Sequence, residues 1–467
     1  MAPSVFQRSR SWLSRQLSSP LFTARQIYSM TVPFILDSLS VMLINMLITA
    51  LISSSGETSV AAVNLVTPIS TLAVCFINGI AAGGTVAVTQ ALGAHDLERT
   101  AKAAGHAQWL IFVVGTALCV PLILFPRPVL TLLYRQADPA VMEKAVQYLV
   151  PNCFSIVIFT VYTGVFCVLR GLGEAKKCLW LTIIINGAYL LFSVLFINVL
   201  AMDVDGSGAA LLLARAVGTL AALAFLFLPK DLPVRLAADS IFSCRRDILS
   251  PILEVALPFG LEQLLLYGGN IVITMLLVPL GTSAVAINAV ASSLFGVVIA
   301  NANAAGTLTV TVVGRCAGAG EYRHAFAYGY KLTALALALL AASAAVLYPM
   351  FGWLLEHLYH MDMALRAETV RLLWRILLPL LLFWPMSSIL PNALRAAHDT
   401  VFPSVLGTAS MWLVRIGLGW ALAFPMGMGL SGLWVSMWAE WAVRSVILGL
   451  RYFRGHWMEK ASHHAVS

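Results

Sequence analysis

Pro33-Phe34-Ile35-Leu36-Asp37 has a counterpart in Pro258-Phe259-Gly260-Leu261-Glu262, where again a proline is followed four residues later by a carboxylate, 225 residues further along the chain. The same separation links Gly56 with Gly281, Gly93 with Gly318 and Arg170 with Arg395. It also aligns Val60-Ala61 with Val285-Ala286, and Glu174 with Asp399 just after the paired arginines. One such match is chance, whereas a set sharing a single offset is an internal repeat, which decides how the rest of the chain is read.

Both stretches sit inside long apolar runs. A hydrocarbon core about 30 Å thick needs roughly 20 apolar residues per helical crossing. Runs of that kind recur at 28–52, 60–88, 104–126, 140–169, 178–201, 207–229, 250–278, 285–313, 326–350, 366–394, 403–425 and 430–452. Pro, Gly and short charged clusters punctuate the gaps. Helices are expected because every backbone polar group must be satisfied within the bilayer, and the period-2 strands of a membrane barrel are absent. Six crossings per copy is an even number, so both copies enter the membrane the same way round. The expected fold is therefore an all-α polytopic membrane protein with twelve transmembrane helices in two parallel six-helix repeats. The expected division is an N-terminal segment 1–27, a first lobe 28–229, a linker 230–249, a second lobe 250–452 and a tail 453–467. Transporters built this way hold substrate between their halves and alternate access by rocking.

Composition agrees. Sixty per cent of the 467 residues are apolar and 11% charged, against roughly 25% charged in a soluble domain. The net charge of +8 invites a nucleic-acid reading, but the basic residues fall in short loops and form no stripe interleaved with aromatics. Arg8, Arg10, Arg15, Arg25, Arg99, Lys102, Arg170, Lys176, Lys177, Arg245, Arg246, Arg323 and Arg395 lie on one side of the expected topology, and Arg127 and Arg135 on the other. That asymmetry places both termini in the cytoplasm. The seven cysteines show no metal-ligand spacing, and the histidines are scattered. The glycine-rich Gly79 to Gly84 lacks the GKS or GKT ending of a phosphate loop. Neither an enzyme nor a cofactor is expected.

Several strings resemble the multidrug and toxic compound extrusion family, over roughly residues 27 to 456. They are Pro33 in the first helix, Val88-Thr89-Gln90-Ala91-Leu92-Gly93-Ala94 with Asp96, and Leu169-Arg170-Gly171-Leu172-Gly173-Glu174. The second half adds Leu257-Pro258 with Leu261-Glu262-Gln263, Leu280-Gly281, Gly318-Ala319-Gly320, and Gly429-Leu430-Ser431-Gly432-Leu433-Trp434 followed by Arg444 and Arg451. The resemblance implies a bacterial inner-membrane exporter of organic cations and other amphiphilic compounds, driven by inward proton or sodium movement. One departure matters. Where many members carry an aspartate in the first helix within Asn-x-x-Asp-Thr, this chain reads Asn45-Met46-Leu47-Ile48-Thr49.

Ionisable groups inside a crossing are costly and point to function. Asp37 and Glu262 are the repeat-related pair, each one turn past a proline that bends its helix and frees a backbone carbonyl. Burial favours the protonated carboxylate, a property that proton coupling uses. Asp37 lies about three turns before Ile48, roughly 16 Å along the axis, and is expected to replace part of the missing site. Glu262 also resembles the family's acid in helix 7. Arg215, Arg375, Arg415, Glu440 and Arg444 are the other charges in crossings, with Glu440 and Arg444 spaced as a helical pair. Asn186, which resembles an amide position of the family's first lobe, is a candidate contact, as are Asn270 and Asn301, set against ordinary interhelical hydrogen bonding. Tyr162 is a candidate aromatic face for a cation.

The expected function is a monomeric secondary antiporter for cationic or amphiphilic substrates, with proton or sodium as coupling ion. The alternative is a flippase of lipid-linked precursors, which would favour basic residues facing the cavity.

Overall fold

The computed structural model describes residues 21–52, 57–134, 138–200, 202, 204–228, 232, 246–357, 359 and 361–458. The linker 230–249 and the terminal segments lie largely outside these residues. Among the described residues there is no strand. The described residues form twelve long helical segments: α1 (Ala24–Ile52), α2 (Glu57–Gly93), α3 (Leu97–Leu124), α4 (Pro139–Gly171), α5 (Ala175–Ser193) and α6 (Val204–Phe227) in the first repeat. The second repeat supplies α7 (Arg246–Leu277), α8 (Thr282–Gly318), α9 (Tyr322–His357), α10 (Met363–Ser388), α11 (Val401–Ala423, with a π-helical centre at Ser410–Leu418) and α12 (Gly429–Phe453). Ten of these are long and apolar enough to cross a membrane by length and composition among the described residues; α1 and α12 complete the two sets of six.

Several helices outrun the apolar stretches that announced them. α2 and α8 each have 37 residues, about 55 Å at 1.5 Å per residue, against a hydrocarbon core of about 30 Å. Their ends therefore continue into the polar interface. α3 shows the reason for the misplaced boundaries. It starts at Leu97 and not near residue 104, because Asp96 Oδ1 accepts from the Arg99 backbone N–H at 2.8 Å and caps the first turn.

The repeat is written into the backbone. Left-handed residues close the turns after α2 and α4 at His95 (φ 58°) and Gly173 (φ 75°), and the turns after α8 and α10 at Gly320 (φ 72°) and His398 (φ 62°). Both pairs are 225 residues apart. The hydrogen bonds around them repeat as well: Asp96 N–H donates to Ala91 C=O and Glu321 N–H to Cys316 C=O, at 3.2 and 2.9 Å. Helix packing follows suit. α4 packs against α2, α3 and α6, and α5 against α6; likewise α10 packs against α8, α9 and α12, and α11 against α12.

Packing divides the chain into two units, one from Ser40 to Leu264 and one combining the chain up to Leu39 with Leu265 onward, so that α1 and α7 each contribute to both. The first unit is built on Ile77, Ile80, Ile111, Leu149 and Ile156. The second is built on Leu340, Phe351, Leu373, Ile376, Trp384 and Trp441. Large apolar side chains such as Leu118, Leu191, Leu220, Leu378 and Leu413 remain outward, as suits helices whose solvent is lipid.

Candidate functional site

Glu262 is buried to 2% exposure near the middle of α7, and Asp37 to 5% near the middle of α1. Asp37 continues an otherwise apolar buried face made by Ile27, Met30 and Phe34. It therefore sits in the helix interior and not at a surface turn. Glu262 follows a tight crossing. A Cβ on Gly79 of α2 would stand 2.4 Å from the Gly260 Cα, and one on Gly83 would stand 2.7 Å from the Ala256 Cα. Only glycine lets α2 and the first half of α7 approach so closely, and that approach fixes the turn carrying Glu262. The two carboxylates belong to different packing units, Asp37 to the one containing Leu265 onward and Glu262 to the other.

The remaining candidates separate clearly. Tyr162 is buried at 6% and stacks between Phe159 and Phe166 on α4, with ring centroids 5.4 and 5.6 Å away. Asn186 is half-buried on α5. Asn301 donates through Nδ2 to Ser343 Oγ at 2.8 Å, an interhelical bond between α8 and α9. Asn270 is exposed on α7, its backbone carbonyl accepting from Thr274 Oγ1 at 3.0 Å. The side chains of Asn45 and Ile48 lie outside the described residues. Of the six candidates, Glu262, Tyr162 and Asn186 fall in the first unit, and Asp37, Asn270 and Asn301 in the second.

A charged group that sequence reasoning left without partners organises the first unit. Arg215 lies eleven residues into the 24-residue α6, near mid-depth. Its Nη1 donates to Ser155 Oγ at 2.7 Å, and its guanidinium carbon stands 4.8 Å from the Phe159 ring centroid. Phe159 in turn stacks on Tyr162, and Phe166 carries Arg170 at 4.4 Å. One face of α4 thus holds a column of three rings with an arginine at each end. Tyr148, Tyr189 and Cys119 also lie within electrostatic reach of Arg215. Among the described residues no carboxylate pairs with it. An arginine at a helix centre costs roughly 2.5–3.5 kcal/mol to insert. A charged hydrogen bond returns about 1.5–3 kcal/mol and a cation–π contact about 0.5–2 kcal/mol. Neutral partners can therefore hold Arg215 in place, but they leave its charge uncancelled. The signal available in the sequence was the stripe Tyr148, Asn152, Ser155, Phe159, Tyr162 and Phe166, whose alternating spacing of four and three keeps it on one helical face.

The second unit solves the same problem differently. Glu440, eleven residues into α12 and 2% exposed, accepts from Arg415 at 3.5 Å and from Arg444 at 3.3 Å. The expected Glu440–Arg444 pair is present, and Arg415 joins it from the π-helical centre of α11. Arg415 Nη2 also reaches Met437 Sδ at 3.2 Å. Nearer the end of α12, Arg451 grips Asp399 through two bonds of 3.0 and 3.2 Å. No group of three His, Cys, Asp or Glu residues among those described could hold a metal ion.

Twelve helices in two parallel copies, with repeat-related prolines and buried acids, match a known family model. The MatE model matches residues 33–195 and 258–421, once in each repeat at nearly the offset read from the sequence. The chain belongs to the MatE family. As a MatE protein it is a multi-pass membrane transporter and not an enzyme. It is 24% identical over 457 residues to the uncharacterized transporter YisQ of Bacillus subtilis, covering 96% of this chain and 98% of that one. It is 25% identical over 473 residues to the multidrug resistance protein NorM of Burkholderia vietnamiensis, covering 95% and 97%. Its fold is similar to that of a MOP superfamily transporter from Pyrococcus furiosus, described as having a binding pocket of reverse polarity. The TM-score there is 0.84 at 20% identity, covering 94% and 96% of the two chains.

Proposed function

We propose that this MatE protein is a cation-coupled exporter of amphiphilic organic compounds in a bacterial inner membrane. It works as a monomer with both termini in the cytoplasm, by alternating access of its two six-helix halves. Glu262 and Asp37 are its coupling carboxylates, exchanging protons or sodium ions against outward substrate movement. The observation that carries this reading is their pairing. Each is a buried acid at the middle of its helix, four residues past a proline, at equivalent positions of the repeat. A membrane-buried carboxylate is costly, and two at one repeat offset have a shared purpose. Multidrug resistance proteins among the relatives support the substrate class. Asp37 takes over part of the first helix's coupling role, because Ile48 stands at the position the resemblance makes acidic.

The test is efflux of a fluorescent organic cation from liposomes under separately imposed proton and sodium gradients. Glu262→Gln should lower gradient-driven efflux by about tenfold or more, the scale on which removing a proton-transfer group acts, and Asp37→Asn should lower it less. Unchanged, gradient-driven efflux in both variants would remove the coupling assignment. No gradient-driven movement of any such cation in the unmodified protein would instead favour the flippase of lipid-linked precursors.

A further inference from the structure

Arg215 combines mid-depth placement, a partly exposed side chain and a lack of any acidic partner among the described residues. A guanidinium carries five N–H donors in a planar fork. Here Nη1 is taken by Ser155 and one face by the Phe159 ring. The other N–H groups have no acceptor among the described residues, and the residue is half-buried. Tyr148 and Tyr189 lie within electrostatic reach of the same charge. Tyr189 follows Asn186 by three residues on α5, so both present to one face. The corresponding depth of the second repeat, eleven residues into α12, holds the acid Glu440 and not a base. The offset of 225 carries Arg215 onto Glu440. Aligning Ser207-Gly208 with Ser431-Gly432 instead shifts this by one residue.

We infer that Arg215, anchored by Ser155 and the Phe159 ring, is the centre of an anion subsite within the first repeat. Its ligand is the carboxylate of an amphiphilic substrate, recognised through the two-pronged geometry that guanidinium and carboxylate share. The inference rests on the exporter reading and narrows its substrate class to compounds carrying a carboxylate beside their apolar body. The aromatic column Phe159, Tyr162 and Phe166 supplies the flat apolar surface beside the charge.

The experiment uses the full-length protein in detergent micelles and two forms of one rhodamine dye, the ethyl ester and the corresponding free carboxylate. Binding is read by fluorescence polarisation. The unmodified protein should bind the acid about tenfold more tightly than the ester, roughly 1.4 kcal/mol. In Arg215→Gln that ratio should collapse to about one, and Arg215→Lys should recover part of it as a point charge without the fork. Tyr189→Phe should reduce the ratio by a smaller factor. A ratio that does not change in Arg215→Gln, or that was near one in the unmodified protein, overturns the assignment. Chloride competition that depends on Arg215 without any preference for acid over ester would make the ligand a free inorganic anion and would likewise overturn it. Because binding needs no gradient, an intact ratio with no efflux would count against the exporter reading and leave the subsite standing.

Discussion

The middle of α6 and the middle of α12 are the same place in two copies of one design, and they carry opposite charges. In the first repeat Arg215 is held by a serine hydroxyl and a phenylalanine face. In the second, Glu440 sits between Arg415 and Arg444. The surrounding frame is shared: helix pairings, turn hydrogen bonds and left-handed turn residues all recur at one offset. The duplication has therefore kept the backbone solution and diverged in what it places at mid-depth. A closed ion triad is built to hold helices together, whereas a cation with neutral partners keeps donors available.

The largest expected effect tests that contrast directly. Glu440→Gln leaves two arginines facing each other in the membrane without their acid. Breaking a buried pair costs about 3–5 kcal/mol. Arg415 keeps about a quarter of its side chain exposed, so the lower end, about 3 kcal/mol, is expected. Arg215→Met removes a charge that no acid compensates, and should leave stability unchanged or raise it. Thermal unfolding in detergent compares the two. Equal losses would mean that both centres are structural and that the mid-depth difference has no functional content.

A second comparison concerns the turns after α4 and α10. Asp399, 1% exposed, takes a bidentate grip from Arg451, which lies over the Phe402 ring at 4.7 Å. Its repeat partner Glu174 meets Lys177 at 3.5 Å with a third of its side chain exposed. Asp399→Asn should cost about 2 kcal/mol, in line with a charged hydrogen bond lost inside the protein. Glu174→Gln should cost about 0.5 kcal/mol or less, as exposed pairs do. Similar midpoint shifts in the two variants would show that the Arg451 clamp contributes nothing special.

Much of this was legible in the chain. The offset of 225 announced the repeat and the apolar runs announced the crossings, because backbone duplication preserves prolines and glycines in register. Helix ends were less legible, since hydropathy stops at the first polar residue while caps such as Asp96 set the true start. Of the arginines' partners, only the helical pair Glu440–Arg444 could be read. Arg215 meets Ser155 across 60 residues of sequence and Arg415 meets Glu440 across 25. Contacts of that kind exist only once α4 has packed on α6, or α11 on α12. Asn270 and Asn301 were marked by residue type alone, and residue type does not say whether an amide faces lipid, a neighbouring helix or a pathway.

A third comparison isolates the frame from everything it carries. His95 and Gly320 occupy the same left-handed position in the two repeats. His95 is exposed, and a Cβ on Gly320 would meet nothing within 4 Å. Substitution at either place therefore changes backbone strain with little change in packing. A left-handed residue with a Cβ costs about 1–2 kcal/mol, from which about 0.5–1 kcal/mol is returned because glycine loses more freedom on folding. Gly320→His should then destabilise by about 0.5–1 kcal/mol and His95→Gly should stabilise by a similar amount. The two shifts should be nearly equal and opposite if the turns are the same turn. A destabilising His95→Gly would mean that the histidine ring makes a contribution its glycine counterpart cannot, and the two repeats would then differ at their turns as well as at their centres.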